Sequence, residues 1–151
     1  MIVTFFGHAQ FPTVHQFEQT VLLLLEKNVD DREVFFYLGN QGDFDAFAYS
    51  CCKKYQSMHS HASLILITPY LPQNNSSKSN HIFSQYDEVI YPEIEDKPKR
   101  FAIKYRNKWM VDHADLVICG IDHSWGGAYQ ACQYAKRHGK TVINITGKTV
   151  L

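Results

Sequence analysis

Short apolar runs alternate with segments of helical periodicity along almost the whole chain, and this alternation limits the fold more than any other feature. The runs are apolar throughout, which is typical of strands covered on both faces of a sheet. Successive strands joined by helices form parallel, right-handed crossovers. The predicted strands are residues 2–6 (IVTFF), 33–38 (EVFFYL), 63–68 (SLILIT), 86–91 (YDEVIY), 115–119 (DLVIC) and 141–145 (TVINI). The sequence therefore predicts an α/β fold: a doubly wound, mostly parallel, Rossmann-like sheet with helices on both faces.

The segments between these runs carry helical spacing. Residues 127–138 precede the last strand, and Pro98 opens a helix whose Phe101, Tyr105 and Trp109 are four residues apart. Residues 69–81 (PYLPQNNSSKSNH) are polar with two prolines and predict a long surface loop. Neither a repeat nor a linker interrupts the pattern, so we expect one domain over residues 1–151.

Charge and cysteine content limit the kinds of partner and the compartment that we expect. Fifteen basic residues balance fifteen acidic ones, so nucleic acid is not an expected partner and no field attracts an anionic membrane. No apolar run reaches the length of a membrane span, and the first residues lack the features of a signal peptide. The four cysteines show no metal-type spacing. These features predict a reduced, cytoplasmic protein.

Glycines follow three of the predicted strands, at the edge where ligands bind in doubly wound sheets. They occur as Gly7-His8, as Gly39 to Gly42, and as Gly126-Gly127 at the start of the last helix. Glycine lets a ligand approach the backbone, and a helix N-terminus offers free N–H groups to an anion. Any α/β domain also needs glycine in its short turns, and no Walker loop or G-x-G-x-x-G is present. Together the turns favour a phosphate-binding site.

Charged residues near these turns have both a structural and a functional interpretation. Asp43 suits an N-cap, and Asp45 falls in the first turn of a helix, where the dipole favours a carboxylate. Arg106 belongs to a solvated face or pairs with a phosphate, and we favour the phosphate. His8 is a turn residue or part of the site. The eight histidines show no metal-ligand spacing, so we expect neither a metal nor another cofactor.

Three stretches resemble one protein family. RNKWMVDHADLVIC (106–119) with GGAYQACQYAKRHGKTVINI (126–145), and GNQGDFDAFA (39–48) after a strand ending in Gly-His, resemble the SLOG superfamily of Rossmann-like domains. This group contains the DprA/Smf proteins, the LOG phosphoribohydrolases and the short YpsA-like branch, which this chain resembles most. The resemblance implies binding of a nucleotide or nucleotide-derived ligand, with Asp45 on the ribose. It also implies a homodimer or a higher even oligomer paired through helices.

The sequence departs from the LOG hydrolases at two positions. Their arginine and glycine pair are matched by Arg106 and by Gly126-Gly127. Their loop threonine and catalytic glutamate, however, correspond to Gln130 and Gln133. Glutamine can hydrogen-bond a ribose but cannot act as a general base or stabilise an oxocarbenium-like transition state by charge. LOG-type cleavage is therefore not expected, and the resemblance leaves Gln130 and Gln133 as ligand contacts.

Two classes of function remain open at this point. The first is a module that senses or sequesters a nucleotide or a derivative of one. The second is an enzyme acting on N-glycosidic bonds, as a phosphoribohydrolase or a nucleoside deoxyribosyltransferase does. An enzyme of this kind needs a carboxylate near the anomeric carbon, and the candidates at strand ends are Asp43, Asp45 and Asp122. Asp45 is the first candidate for a catalytic residue.

Overall fold

The computed structural model describes residues 1–12, 14–30, 32–71 and 77–151. Six strands alternate with helices in these ranges. The strands are β1 (Ile2–Gly7), β2 (Val34–Leu38), β3 (Ala62–Ile67), β4 (Glu88–Ile90), β5 (Leu116–Gly120) and β6 (Thr141–Asn144). The helices are α1 (His15–Asn28), α2 (Asp43–Met58), α3 (Ser77–Phe83), α4 (Ala102–His113) and α5 (Gly127–Arg137), and a 3₁₀ turn (Lys99–Phe101) precedes α4.

All six strands belong to one parallel sheet in the order β4-β3-β2-β1-β5-β6. The chain starts at β1, builds outward through β2, β3 and β4, and then crosses back to place β5 on the other side of β1. The last residues of these two strands, Gly7 and Gly120, pair with each other. The predicted Rossmann-like class is confirmed, and its switch point lies between β1 and β5.

The sheet is covered on both faces, which explains why its strands are apolar throughout. Adjacent residues of β1 point to opposite sides: Phe5 belongs to a core with α1 and α2, and Phe6 belongs to a core with α4 and α5. In α1 the run VLLLL has helical spacing, so Val21 and Leu25 are buried while Leu23 is exposed. Burial of both sheet faces leaves the carboxyl ends of the strands as the open edge.

Two expected boundaries were wrong. Residues 77–81 of the predicted surface loop belong to α3, and residues 72–76 of that loop lie outside the described residues. The fourth strand is three residues long and not six. Its expected first residue, Tyr86, instead donates its N–H to the carbonyl of Phe83 at the end of α3. The N–H of Tyr86 is thus used in a turn and is not available for pairing between β4 and β3.

Within the described part of the chain, every helix is too short or too polar to cross a bilayer. The four cysteines are buried and free of disulfides.

Candidate functional site

A cavity of about 760 Å³ opens at the carboxyl ends of β1 and β5, at the edge that the glycine turns predict. Three loops surround it: residues 7–10 after β1, the turn 39–42 after β2, and residues 122–126 after β5. One face of α4 closes the side. Among the lining residues are Gly7, His8, Gly39, Gly42, Asp45, Arg106, Asp122, Gly126 and Gly127 from the predicted residues, and Ile103, Asn107, Met110, His123 and Trp125 beyond them.

The predicted glycines serve two different purposes. A Cβ on Gly7 would lie 2.0 Å from Cγ of Phe44, and one on Gly42 would lie 2.7 Å from Cα of Ala9. These two positions are therefore glycine because protein atoms pack against them. Gly39 is similar, since its Cβ would lie 2.8 Å from a terminal nitrogen of Arg106. The close approach at these turns is between parts of the protein itself.

A Cβ added to Gly126 or to Gly127 would have no neighbouring atom within 4 Å, so both glycines face open space. Gly126 also has a φ of +92°, a conformation that other residues rarely adopt. It caps α5 without a side-chain hydrogen bond, which leaves the amides of the first turn without helical acceptors. The cavity therefore contains a helix N-terminus with free donors and a partial positive charge, both suited to an anion.

Three aromatic rings form a stack beside this helix end. His8 and His123 are parallel, with an interplanar angle of 8° and centroids 3.4 Å apart. Trp125 covers the other face of His123, with centroids 3.9 Å apart. His8 is buried, His123 is half-buried, and the Trp125 side chain is 69% exposed at the rim of the cavity. The stack thus runs from the sheet edge out to solvent.

Asp122 holds the two histidines in place. Its Oδ1 lies 2.6 Å from Nδ1 of His123 and 3.3 Å from Nε2 of His8. Its backbone N–H lies 3.2 Å from the same His8 Nε2. The hydrogen bond from His123 lowers the pKa of Asp122. Burial, with the nearby charge of His123, lowers the pKa of His8, against the opposing effect of Asp122.

The same three residues form a cluster of candidate metal ligands, with their ligand atoms within 4.8 Å of one another. A metal ion is bound in the plane of an imidazole ring, along the nitrogen lone pair. Two parallel rings only 3.4 Å apart cannot both meet this condition for one ion unless one ring turns. The geometry thus suits stacking and hydrogen bonding better than shared coordination, and the absence of a metal stays a prediction.

Arg106 lies deeper than the sequence suggested. Arg106 is only 3% exposed. One terminal nitrogen of its guanidinium donates to the carbonyl of Ile67 at 2.9 Å. Burial lowers its pKa, while Asp45 opposes this shift. Nε of Arg106 is buried without a hydrogen-bond partner among the described residues, as is Oδ1 of Asn107. The solvated-face interpretation of Arg106 is therefore wrong.

Asp45 lies on the same side of the cavity. Its Oδ2 accepts the N–H of Gln41 at 2.7 Å and would lie 2.9 Å from a Cβ on Gly39. Burial raises the pKa of Asp45, against the lowering effects of the Gln41 amide and the charge of Arg106. Arg106 and Asp45 thus both approach Gly39 in the turn after β2.

The other predicted residues lie away from the cavity lining. Asp43 is the first residue of α2 and not its cap, which is Gly42, and its Oδ2 accepts the N–H of Phe11 at 3.4 Å. Gln130 is exposed, and Gln133 donates to the hydroxyl of Tyr129 on the same helix. Their roles as ligand contacts stay predictions, since none of the three is among the residues that line the cavity.

Sequence reasoning missed His123 and Trp125 as site residues. The signal for them was available in the order DHSWGG, because every residue between the end of β5 and the glycine pair lies on the ligand edge of the sheet. Asn107, Ile103 and Met110 of α4 were also missed. Which side chains of α4 face the cavity is known only when α4 is placed beside β1.

The order of the strands, the glycine pair and the cavity between them define a doubly wound α/β protein with a Rossmann-like fold and a ligand-sized opening at its switch point. Its structure is similar to DNA processing protein A (DprA) from Streptococcus pneumoniae, with a TM-score of 0.60 over 93% of this chain and 17% sequence identity. The chain spans about half of that protein, 48% of its length. This likeness shows a DprA-like fold.

A second similarity comes from sequence. The chain is 23% identical over 143 residues to the uncharacterized SPbeta prophage-derived protein YoqJ of Bacillus subtilis, covering 83% of this chain and 84% of that one. The sequence matches no protein-family model.

Proposed function

We propose that the protein binds a nucleotide or a nucleotide-derived ligand in the cavity between β1 and β5, as a sensor or binding module of the SLOG superfamily and its YpsA-like branch. The observation that carries this proposal is the open N-terminus of α5, where two glycines leave free space in front of unpaired amides. The cavity volume of about 760 Å³ falls within the range for small-molecule sites, roughly 300–1,000 Å³.

In this arrangement a phosphate group lies against the first turn of α5. The amides of Gly127 and Ala128 donate to it, and both residues line the cavity. His8 and His123 line the same cavity. Asp45 has acceptor capacity beyond the amide of Gln41, which suits the hydroxyls of a ribose.

Arg106 enters this proposal through its position. It is largely enclosed and already donates to Ile67, so its charge acts on the cavity from below the turn after β2. Its Nε has no hydrogen-bond partner among the described residues and can donate to a ligand oxygen. DNA, which DprA is named for processing, is not the ligand we propose, because the chain has no net charge.

The test uses Gly127→Val. Open space around Gly127 lets the domain accept the side chain, while the branched group fills the position of the phosphate. AMP and ADP binding, first found by a thermal-shift screen and then measured by titration calorimetry, should be lost. Arg137→Val is the control, because it places the same side chain at the exposed far end of α5, outside the cavity lining. Unchanged affinity in folded Gly127→Val would contradict the phosphate site.

A second candidate function is an enzyme acting on N-glycosidic bonds. The observation in its favour is Asp45, a carboxyl group that lines the cavity and whose pKa is raised by burial, the direction that suits a general acid. Gln133, at the position of the LOG glutamate, argues against this reaction. Incubation of AMP with the protein, followed by chromatography for free adenine, separates the two functions. Release of adenine that Asp45→Asn abolishes would establish the enzyme.

A further inference from the structure

We propose that the exposed indole of Trp125 is the surface on which the aromatic base of the bound nucleotide stacks. This inference rests on the proposed function and adds the orientation of the ligand. The base lies at the rim against Trp125, and the phosphate lies on the N-terminus of α5. The ring stack of His8, His123 and Trp125 carries the argument.

The first step is the unusual exposure of Trp125. Tryptophan carries a large apolar area, and its side chain is here 69% exposed at the rim of a cavity. Ile103 lines the same cavity and is also partly exposed. Apolar groups at the mouth of a pocket are covered when a ligand binds, and a flat indole is best covered by a flat partner.

The second step is that the indole is held in place before any ligand binds. His123 supports its inner face at a centroid distance of 3.9 Å, and Asp122 fixes His123 through a 2.6 Å hydrogen bond. Buried His8 supports His123 from below at 3.4 Å. A supported ring loses little conformational entropy when its other face is covered, so stacking on it contributes more to affinity.

The third step is the distance between the two binding features. Trp125 directly precedes Gly126, so one short loop presents both an aromatic surface and the free amides of α5. A ligand that uses both features carries a planar ring and a phosphate only a few bonds apart. A mononucleotide has this arrangement. Face-to-face stacking tolerates any base but favours larger rings, so we expect purine nucleotides to bind more tightly than pyrimidine nucleotides.

The experiment compares AMP with ribose 5-phosphate, which keeps the phosphate and lacks the base. Calorimetry on Trp125→Ala should show AMP affinity reduced by roughly 5- to 150-fold, the range for loss of one aromatic stacking partner. Affinity for ribose 5-phosphate should be unchanged. Trp125→Phe should recover part of the loss, because it keeps a smaller ring at the same place, and circular dichroism of each variant checks its fold.

Fluorescence gives a second measurement, because the chain has only two tryptophans. Trp109 stacks on Tyr37 away from the cavity lining, so Trp109→Phe leaves Trp125 as the single reporter. AMP should then quench the emission of this variant, and ribose 5-phosphate should quench it much less.

The outcomes separate the inference from the function on which it rests. If Trp125→Ala binds AMP as the unmodified protein does, the stacking role is overturned and nucleotide binding stands. Equal losses for AMP and ribose 5-phosphate would also overturn it, because Trp125 would then only support the loop. If the unmodified protein binds no nucleotide, the proposed function and this inference both fail.

Discussion

At the scale of single residues, the same amino acid has opposite roles at the two sides of the cavity. Gly7 is enclosed by the ring of Phe44, whereas Gly127 faces open space. Gly7→Ala should therefore destabilise the protein by about 1–3 kcal/mol, the usual cost of overpacking a core. Gly127→Ala is the matched control and should keep or slightly raise stability, because alanine favours a helix. Urea unfolding of both variants measures the difference, and equal stabilities would contradict the packing explanation.

His8 gives a prediction on pH dependence. Its folded-state pKa is lowered from 6.5 mainly by burial, so the unfolded chain takes up a proton first as the pH falls. The neutral ring therefore supports folding above pH 6.5, and this contribution is lost as the pH drops below that value. We expect the unfolding free energy, measured by denaturant unfolding at each pH, to fall more steeply between about pH 7.5 and pH 5 in the unmodified protein than in His8→Asn. The same pH dependence of the unfolding free energy in both proteins would contradict this role of His8.

At the scale of elements, Arg106 joins the start of α2 to the end of β3 from its place on α4. Its guanidinium donates to Ile67 and lies close to the half-buried carboxylate of Asp45 near Gly39. Arg106→Ala should reduce the unfolding free energy by about 1–3 kcal/mol, because it leaves the carbonyl of Ile67 without its donor and Asp45 without the nearby positive charge. Denaturant unfolding measures this loss. The exposed Arg100 is the control, and Arg100→Ala should change stability by about 0.5 kcal/mol at most.

A double-mutant cycle checks the cause of that loss. Adding Asp45→Asn to Arg106→Ala removes the stranded charge, so part of the stability should return. If the losses of unfolding free energy in the two single variants simply add, Arg106 does not act by balancing the charge of Asp45.

The sequence was sufficient for the elements but not for the contacts between them. Continuous apolar runs placed β1, β2, β3 and β5 within about a residue, because burial on both faces leaves no other pattern. Nothing local indicates that Gly7 packs on Phe44, which is 37 positions further along the chain. The stack of His8 on His123 likewise depends on β1 pairing with β5, and the order of the strands cannot be read from local sequence patterns.

At the scale of the whole molecule, strand order determines where the cavity lies. Because the chain crosses back from β4 to β5, the loops after β1 and β5 separate to opposite faces of the sheet and leave a gap between them. The helices beside this gap come from distant parts of the sequence. The site is therefore a property of the assembled sheet, and this explains why its residues lie in four separate segments of the chain.

The exposed face of α4 leads to the last prediction, a homodimer or a higher even oligomer. Phe101 and Ile103 are partly exposed there, although Trp109 of the same aromatic series packs on Tyr37. Ile103 also lines the cavity, so pairing through this face would bring a partner subunit close to the site. Light scattering at micromolar concentration should give a mass of at least twice 17.5 kDa. Phe101→Asp should reduce it, whereas Leu23→Asp on the exposed side of α1 should leave it unchanged, and a mass of 17.5 kDa for the unmodified chain would contradict the assembly.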